Sequence, residues 1–164
     1  MNQKPRLYIA APLFNGIERE FNLSLAEVVE RKFEVFLPQR DGGLLNDLIR
    51  QGVPPVAAEK IVFEKDVSAI ERVDVLVAVL DGAYVDEGVA FEIGYAFARH
   101  KVCFGLQTDM RRQLPTGNNP MISASLTCIY SSLRDLVDGL NRFSENTSVR
   151  RLSNFPLVTN ERHL

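Results

Sequence analysis

The sequence predicts a doubly wound α/β domain with a parallel sheet. Short apolar runs alternate along the chain with longer amphipathic stretches, which is the order expected of strands and helices in βαβ units. The run at residues 74–80 (DVLVAVL) is almost wholly apolar, as expected of a strand that helices cover on both faces. The length of 164 residues suits one domain with a substantial core.

Each predicted element has its own signal in the sequence. Apolar residues three and four positions apart predict the first helix, over residues 16–31, while Gly and Pro punctuate the chain between elements. A turn is predicted at residues 41–43 and a polar loop at 107–120. The predicted strands are residues 7–10, 33–37, 74–80, 102–106 and 126–130, and the later helices are residues 44–51, 56–72, 88–100 and 131–143.

The expected strand order is 2-1-3-4-5, the flavodoxin-like order, because it is the common arrangement of five parallel strands. A ligand crevice then opens between strands 1 and 3 at their carboxyl ends, beside residues 10–15 and 81–88. We expect a single domain over residues 1–143. Residues 144–164 are polar and are expected to form a C-terminal tail of unknown role.

Composition and charge argue against several classes of partner. A net charge of −2 gives no basic surface for nucleic acid or an anionic membrane. No apolar run approaches the roughly 20 residues that cross a bilayer, and the first residues lack the order of a signal peptide. Cys103 and Cys128 each lie in an apolar run, which predicts buried thiols in a reducing compartment. We therefore expect a cytoplasmic protein.

The sequence also lacks the usual signatures of cofactors and metals. No Gly-x-Gly-x-x-Gly segment follows the first strand and no P-loop is present, which disfavours dinucleotides and nucleoside triphosphates. His100 and His163 do not have the spacing of metal ligands. The expected site therefore contains neither a cofactor nor a metal.

Glu92 is the first candidate for chemistry. It is the only charged residue between Gly88 and Ala98, and the small residues Gly88 and Ala96, four positions away on either side, leave room beside its carboxylate. A solvated glutamate, or a buried one paired with arginine, would explain the same pattern. Asp86 directly precedes this helix, where aspartate often serves as a plain N-cap.

Asp66 is the second candidate, because Val62, Phe63, Ala69 and Ile70 place it on the apolar face of its helix. A carboxylate there needs a partner or a function, and bonds to nearby backbone N–H groups are the structural alternative. Three carboxylates at one crevice suit nucleophilic and acid–base chemistry at an acetal-like carbon, since an apolar wall can keep one acid protonated.

At these residues the sequence resembles the nucleoside 2-deoxyribosyltransferase family. The matching segments are residues 8–14 (YIAAPLF), 65–70 (KDVSAI), 86–94 (DEGVAFEIG) and 119–121 (NPM), in the family's order. Their most specific part is the Asp-x-Gly-x-x-x-Glu pattern on a helix after an apolar strand. The resemblance implies a flavodoxin-like fold and an enzyme of nucleoside salvage, acting on 2′-deoxynucleosides and free nucleobases.

The resemblance also implies roles for individual residues. Glu92 would attack C1′ to form a deoxyribosyl-enzyme, Tyr8 would orient Glu92, and Asp66 would shuttle the proton of the base. A second base would then take the sugar with net retention. The implied substrate-binding residues are Asp86 and Asn119 at sugar hydroxyls, Met121 near the sugar, Gln39 near the base, and Phe14 and Gly88 in the matching segments. In the family a neighbouring subunit offers the Asn–Met pair, which implies a homo-oligomer, from dimer to hexamer, with shared active sites.

Other functions remain open at this point. A nucleotide N-glycosidase of the same superfamily would hydrolyse 2′-deoxynucleoside 5′-monophosphates, but such enzymes tend to carry serine in place of Asp86. Two like charges about 4 Å apart repel by about 4 kcal/mol at an effective dielectric of 20, so Asp86 disfavours a 5′-phosphate. A non-catalytic receiver-like module would need acids after strand 1 and a lysine after strand 4, where this chain has Ala10-Ala11-Pro12 and Gln107.

Overall fold

The structure, a computed structural model, describes residues 4–109, 111 and 117–153. Its sheet has five parallel strands in the order β2-β1-β3-β4-β5, which confirms the predicted fold class and strand order. The strands are β1 (Arg6–Ala10), β2 (Glu34–Phe36), β3 (Val75–Val79), β4 (Val102–Leu106) and β5 (Cys128–Tyr130).

Helices cover both faces of this sheet. They are α1 (Gly16–Val29), α2 (Leu45–Arg50), α3 (Pro55–Arg72), α4 (Glu87–Ala98), α5 (Pro120–Ser125) and α6 (Leu133–Ser153), and one π-helical turn spans Pro38–Gly42. None of the helices in the described ranges has the length and apolar content needed to cross a membrane.

The alternation of side chains along the strands divides the core into two layers. Leu7 and Ile9 of β1 pack with α1 and α6, whereas Tyr8 and Ala10 point to the opposite face, toward α3 and α4. The central strand β3 alternates in the same way and is buried throughout, as its apolar sequence predicted. The layer toward α3 and α4 therefore brings Tyr8 to the helices that carry Asp66 and Glu92.

Three local predictions were wrong. The short helix α5 follows the predicted loop at 107–120 and was missed because six residues are too few to show a helical period. The last helix does not end at residue 143 but continues to Ser153, and Ser144 beyond the predicted end is still buried. Cys103 is buried as predicted, but Cys128 is exposed because β5 is an edge strand.

Candidate active site

Tyr8 and Glu92 meet between the sheet and α4. The Tyr8 hydroxyl donates a hydrogen bond to Oε1 of Glu92 at 2.5 Å. The Tyr8 ring is fully buried and stacks on Phe36 with 5.4 Å between centroids, so the hydroxyl is held in place. Within the described residues Oε2 of Glu92 accepts no hydrogen bond, and Glu92 forms no ion pair with an arginine. One carboxylate oxygen is thus positioned and the other is left for a reacting atom.

Asp66 faces the same space from α3. Its Oδ1 atom is buried and has no hydrogen-bond partner among the described residues. The backbone of the π-helical turn allows this approach, since a Cβ atom on Gly42 would lie only 2.8 Å from Oδ1 of Asp66. An unpartnered buried carboxyl oxygen is costly, and a substrate group is one way to satisfy it.

Burial raises the pKa values of all three groups at this site. The pKa of Glu92 is raised to about 8, mainly by burial; the Tyr8 hydrogen bond opposes the rise, and the nearby carboxyls of Asp66 and Asp86 add to it. Burial also raises the pKa of Asp66 to about 6, against the opposing charge of Lys65. The pKa of Tyr8 is raised well above its usual range by burial and by Glu92 and Asp66. Tyr8 therefore remains a hydrogen-bond donor at neutral pH.

Replacing Gly42 by alanine is expected to push the Asp66 carboxyl toward solvent at little cost in stability, because a new Cβ atom would lie 2.8 Å from Oδ1 at the end of that side chain. The pKa of Asp66 is then expected to fall toward its ordinary value, since the burial that raises it is reduced. NMR titration of the Asp66 carboxyl carbon measures the change. Gly16→Ala is the matched control, since a Cβ atom there meets nothing within 4 Å. An Asp66 pKa that is the same in Gly42→Ala and Gly16→Ala would contradict the close approach.

Asp86 is partly buried and occupies the amino-terminal end of α4. Its Oδ1 accepts hydrogen bonds from the backbone N–H groups of Gly88, at 2.9 Å, and Val89, at 3.1 Å. Asp86 therefore acts as the N-cap of α4, the structural alternative that its sequence position offered. It also lies near enough to Glu92 to raise the pKa of Glu92. A helix amino terminus favours anions, and here the protein's own carboxylate takes that position.

Gln39 lies in the π-helical turn after β2 and Phe14 in the loop after β1, and the described residues show no hydrogen bond from either to the carboxyl cluster. Both ends of the Gln39 amide are engaged: Oε1 accepts from Nδ2 of Asn22 at 3.0 Å, and Nε2 donates to the carbonyl of Arg19 at 2.9 Å. Phe14, in the loop after β1, is 75% exposed, which leaves its ring free to cover a ligand.

Asn119 and Met121 are carried by α5, which packs against α4 of the same chain through Ile122. Oδ1 of Asn119 caps α5 by accepting from the backbone N–H of Met121 at 2.9 Å. Met121 is 77% exposed. Neither residue forms a hydrogen bond with Tyr8, Asp66 or Glu92 in the described part of the chain.

The structure thus brings together Tyr8, Asp66, Asp86 and Glu92, and Gly88 donates to the same cluster. Sequence reasoning missed Phe36, Gly42 and Asn22. Asn22 had a usable signal, because it lies on the same helix face as Leu25, Ala26 and Val29, where a polar side chain is unexpected. Among the described residues there is no cluster of His, Cys, Asp and Glu that would hold a metal ion.

Solved structures with this architecture include proteins of three bacteria. A conserved protein from Enterococcus faecalis V583 superposes with a TM-score of 0.70 at 26% identity, covering 85% of this chain and 98% of that one. A 2-deoxyribosyltransferase from Bacillus psychrosaccharolyticus gives 0.64 at 20% identity, over 80% and 90% of the chains. The CMP N-glycosidase BcmB of Clostridium botulinum gives 0.53 at 18% identity, over 83% and 98%. At these lower identities the last two structures support the fold alone.

Sequence comparison supplies the assignment to a family. An uncharacterized protein of Ureaplasma parvum serovar 3, UU063, is 28% identical over 104 residues, which cover 62% of this chain and 65% of that protein. The model of the family described as nucleoside 2-deoxyribosyltransferase matches residues 7–142, a span that contains the whole carboxyl cluster. With the fold and the Tyr8–Glu92 pair in place, this chain belongs to the nucleoside 2-deoxyribosyltransferase family.

Proposed function

We propose that the protein transfers the 2-deoxyribosyl group between nucleobases through a covalent intermediate on Glu92. The observation that supports this best is the Glu92 carboxylate, whose Oε1 accepts a hydrogen bond from Tyr8 while Oε2 accepts none from the described residues. It faces a second buried acid, Asp66. A nucleophile and a separate proton donor are the two groups that a retaining displacement at an acetal-like carbon requires. Family membership makes nucleosides and nucleobases the substrates to test.

The proposed reaction has two steps. Oε2 of Glu92 attacks C1′, the C1′–N bond breaks, and its electron pair goes to the base nitrogen, which receives a proton from Asp66. A second base then gives a proton to Asp66, its nitrogen attacks C1′, and the bond from C1′ to Glu92 breaks. Two inversions give net retention. Because Tyr8 stays protonated, its role is to orient Oε1 rather than to transfer a proton.

The raised pKa values predict a bell-shaped pH profile of kcat/KM, with limbs near about 6 and about 8. Activity rises with pH as the Glu92 nucleophile loses its proton, and falls as the Asp66 donor loses its own. The active form has Glu92 ionised and Asp66 protonated. Because Glu92 has the higher pKa, this form is a small and nearly constant fraction of the enzyme at pH values between the two limbs. Initial rates measured from pH 5 to 9 check this, and a flat profile over that range would contradict the assigned roles.

The charge of Asp86 favours nucleosides over nucleotides. The Asp86 carboxylate at the start of α4 occupies the position where a phosphate would otherwise meet backbone N–H groups, and its negative charge repels a phosphate. A 2′-deoxynucleoside 5′-monophosphate N-glycosidase is therefore the second candidate. Likeness to the CMP N-glycosidase of C. botulinum keeps that hydrolase among the reactions to assay.

Replacing Asp86 by serine is expected to weaken the use of deoxynucleosides and to admit deoxynucleoside monophosphates. Serine still caps a helix, so α4 is retained while the negative charge is removed. Competition between deoxyadenosine and its 5′-monophosphate measures the ratio of kcat/KM values. A wild-type enzyme that already prefers the monophosphate would transfer the assignment to the hydrolase.

The other expected substrate contacts are proposed from membership of the family. Asn119 and Met121 would approach the sugar from a neighbouring subunit, Gly88 would line it, and Phe14 and Gln39 would flank the base. Asn119 suits such a role because its cap uses Oδ1, and its Nδ2 donors, which form no hydrogen bond with any described residue, can serve a hydroxyl. The working protein would then be a homo-oligomer with shared sites.

Incubation with deoxyinosine and free adenine tests the function directly. Chromatography is expected to show deoxyadenosine and hypoxanthine in equal amounts. Free deoxyribose with hypoxanthine, and no deoxyadenosine, would indicate a hydrolase. No reaction with any pair of deoxynucleoside and base would refute the proposed activity.

A further inference from the structure

The buried side chain of Asn22 has no place in the chemistry described above. It is 1% exposed and lies on the core-facing side of α1 among apolar residues. A buried carboxamide is costly unless its hydrogen bonds are made, and Asn22 makes them with groups outside its own helix. Its Nδ2 donates to the carbonyl of Pro12 at 2.9 Å and to Oε1 of Gln39 at 3.0 Å.

These bonds continue into a chain of amides. Gln39 completes it by donating from Nε2 to the carbonyl of Arg19, so its carboxamide is held at both ends by α1. The chain joins three segments that meet at the carboxyl edge of β1 and β2: the loop after β1, helix α1, and the π-helical turn after β2. The same turn contains Gly42, against which Asp66 rests.

We propose that Asn22 is a positioning residue, which fixes the loop after β1 and the π-helical turn at the spacing that accepts the nucleobase. The inference rests on the proposed function for its ligand. Asn22 does not touch the Tyr8–Glu92 pair, and it acts through Pro12 and Gln39. Loss of its two bonds lets the base side of the crevice spread while the nucleophile keeps its own hydrogen bond. The expected signature is a change in KM rather than in kcat.

Asn22→Leu tests this, because leucine keeps the volume and removes both donors. We expect KM for the acceptor base to rise about tenfold, as when buried groups lose a hydrogen-bond partner, with kcat changed less than about threefold. Gln39→Leu breaks the chain at its more exposed end and is expected to give a similar rise, and the double variant to add little to either. Asn22→Ala also removes both donors, with a smaller side chain, and decides the question if Asn22→Leu does not fold.

Ala26→Gly is the matched control, since it weakens α1 one turn further along without touching the amide chain. Its KM is expected to match that of the wild type. A rise in KM for Ala26→Gly as large as for Asn22→Leu would reduce Asn22 to a structural residue. An unchanged KM in Asn22→Leu, or a loss confined to kcat, would overturn the inference.

A measurement without substrate separates this inference from the proposed function. Side-chain NH₂ resonances of Gln39 are expected to exchange slowly with water in the wild type and faster in Asn22→Leu. If the wild type shows no base exchange but this difference appears, the proposed function fails and the amide chain stands. Equal exchange in both proteins would refute the chain itself.

Discussion

Glu92→Ala is expected to lower base exchange by several orders of magnitude and to leave the fold intact. The variant removes the proposed nucleophile, for which neither Tyr8 nor Asp66 can substitute from its position. Glu92→Gln is the sharper variant, because its amide oxygen still accepts the Tyr8 hydrogen bond while the nucleophile is lost. Initial rates of deoxyadenosine formation measure the loss, and circular dichroism checks the fold.

The control for Glu92 is Glu87→Gln in the first turn of the same helix, where the side chain is exposed and outside the proposed machinery. Its rate is expected to equal that of the wild type. An arabino-fluoro deoxynucleoside analogue should leave its sugar on Glu92, as found by mass spectrometry. Activity of Glu92→Ala within about tenfold of the wild type, or an adduct on another residue, would exclude Glu92 as nucleophile.

Mixing two inactive variants is expected to restore part of the activity. If Asn119 serves a neighbour's site, a mixed oligomer of Glu92→Ala and Asn119 variants contains some sites with both groups intact. Asn119→Asp serves better than Asn119→Ala, because aspartate keeps the cap on α5 and removes the Nδ2 donors. The measurement is base exchange after subunit exchange has been shown by mass spectrometry of labelled chains.

The outcome shows whether each active site is formed by two subunits or by one. If Asn119 acts within its own chain, every site in the mixture lacks one group and the mixture stays inactive. A fully active monomer in sedimentation would also exclude sharing. Each variant alone serves as the baseline, and a mixture of Glu92→Ala with Glu92→Gln, in which no site can be whole, is the negative control.

The buried carboxyls show how candidate site residues can be selected before the fold is known. Asp66 falls on an apolar helix face and Glu92 stands alone among small and apolar residues, which a surface helix does not require. The structure gives the physical counterpart, since burial raises both pKa values, and Oδ1 of Asp66 has no hydrogen-bond partner in the part of the chain that the structure describes. A charge placed where solvation is poor indicates function because its free-energy cost needs compensation.

Local pattern by itself determined the strands and most of the longer helices of this protein, whereas the strand order was expected because it is the common arrangement of five parallel strands. Apolar periodicity is a property of neighbouring residues, and a run such as residues 74–80 admits few alternatives to a central parallel strand. The same reasoning failed where the signal was short or polar, at α5 and beyond residue 143. It also misplaced Cys128, because burial of an edge strand depends on what lies beside it.

Only the tertiary structure decided which partners these residues have. Tyr8 and Glu92 are 84 positions apart, and their bond exists because side chains alternate along β1 and α4 packs on that face. The sequence indicates only a turn at Gly42, whereas the fold places Gly42 against the Asp66 carboxyl. Nothing in the sequence shows that the Gln39 amide is bonded to Asn22 and to the carbonyl of Arg19. Sequence specifies the face on which a side chain lies, but distances of a few ångströms between remote segments arise only when the layers pack.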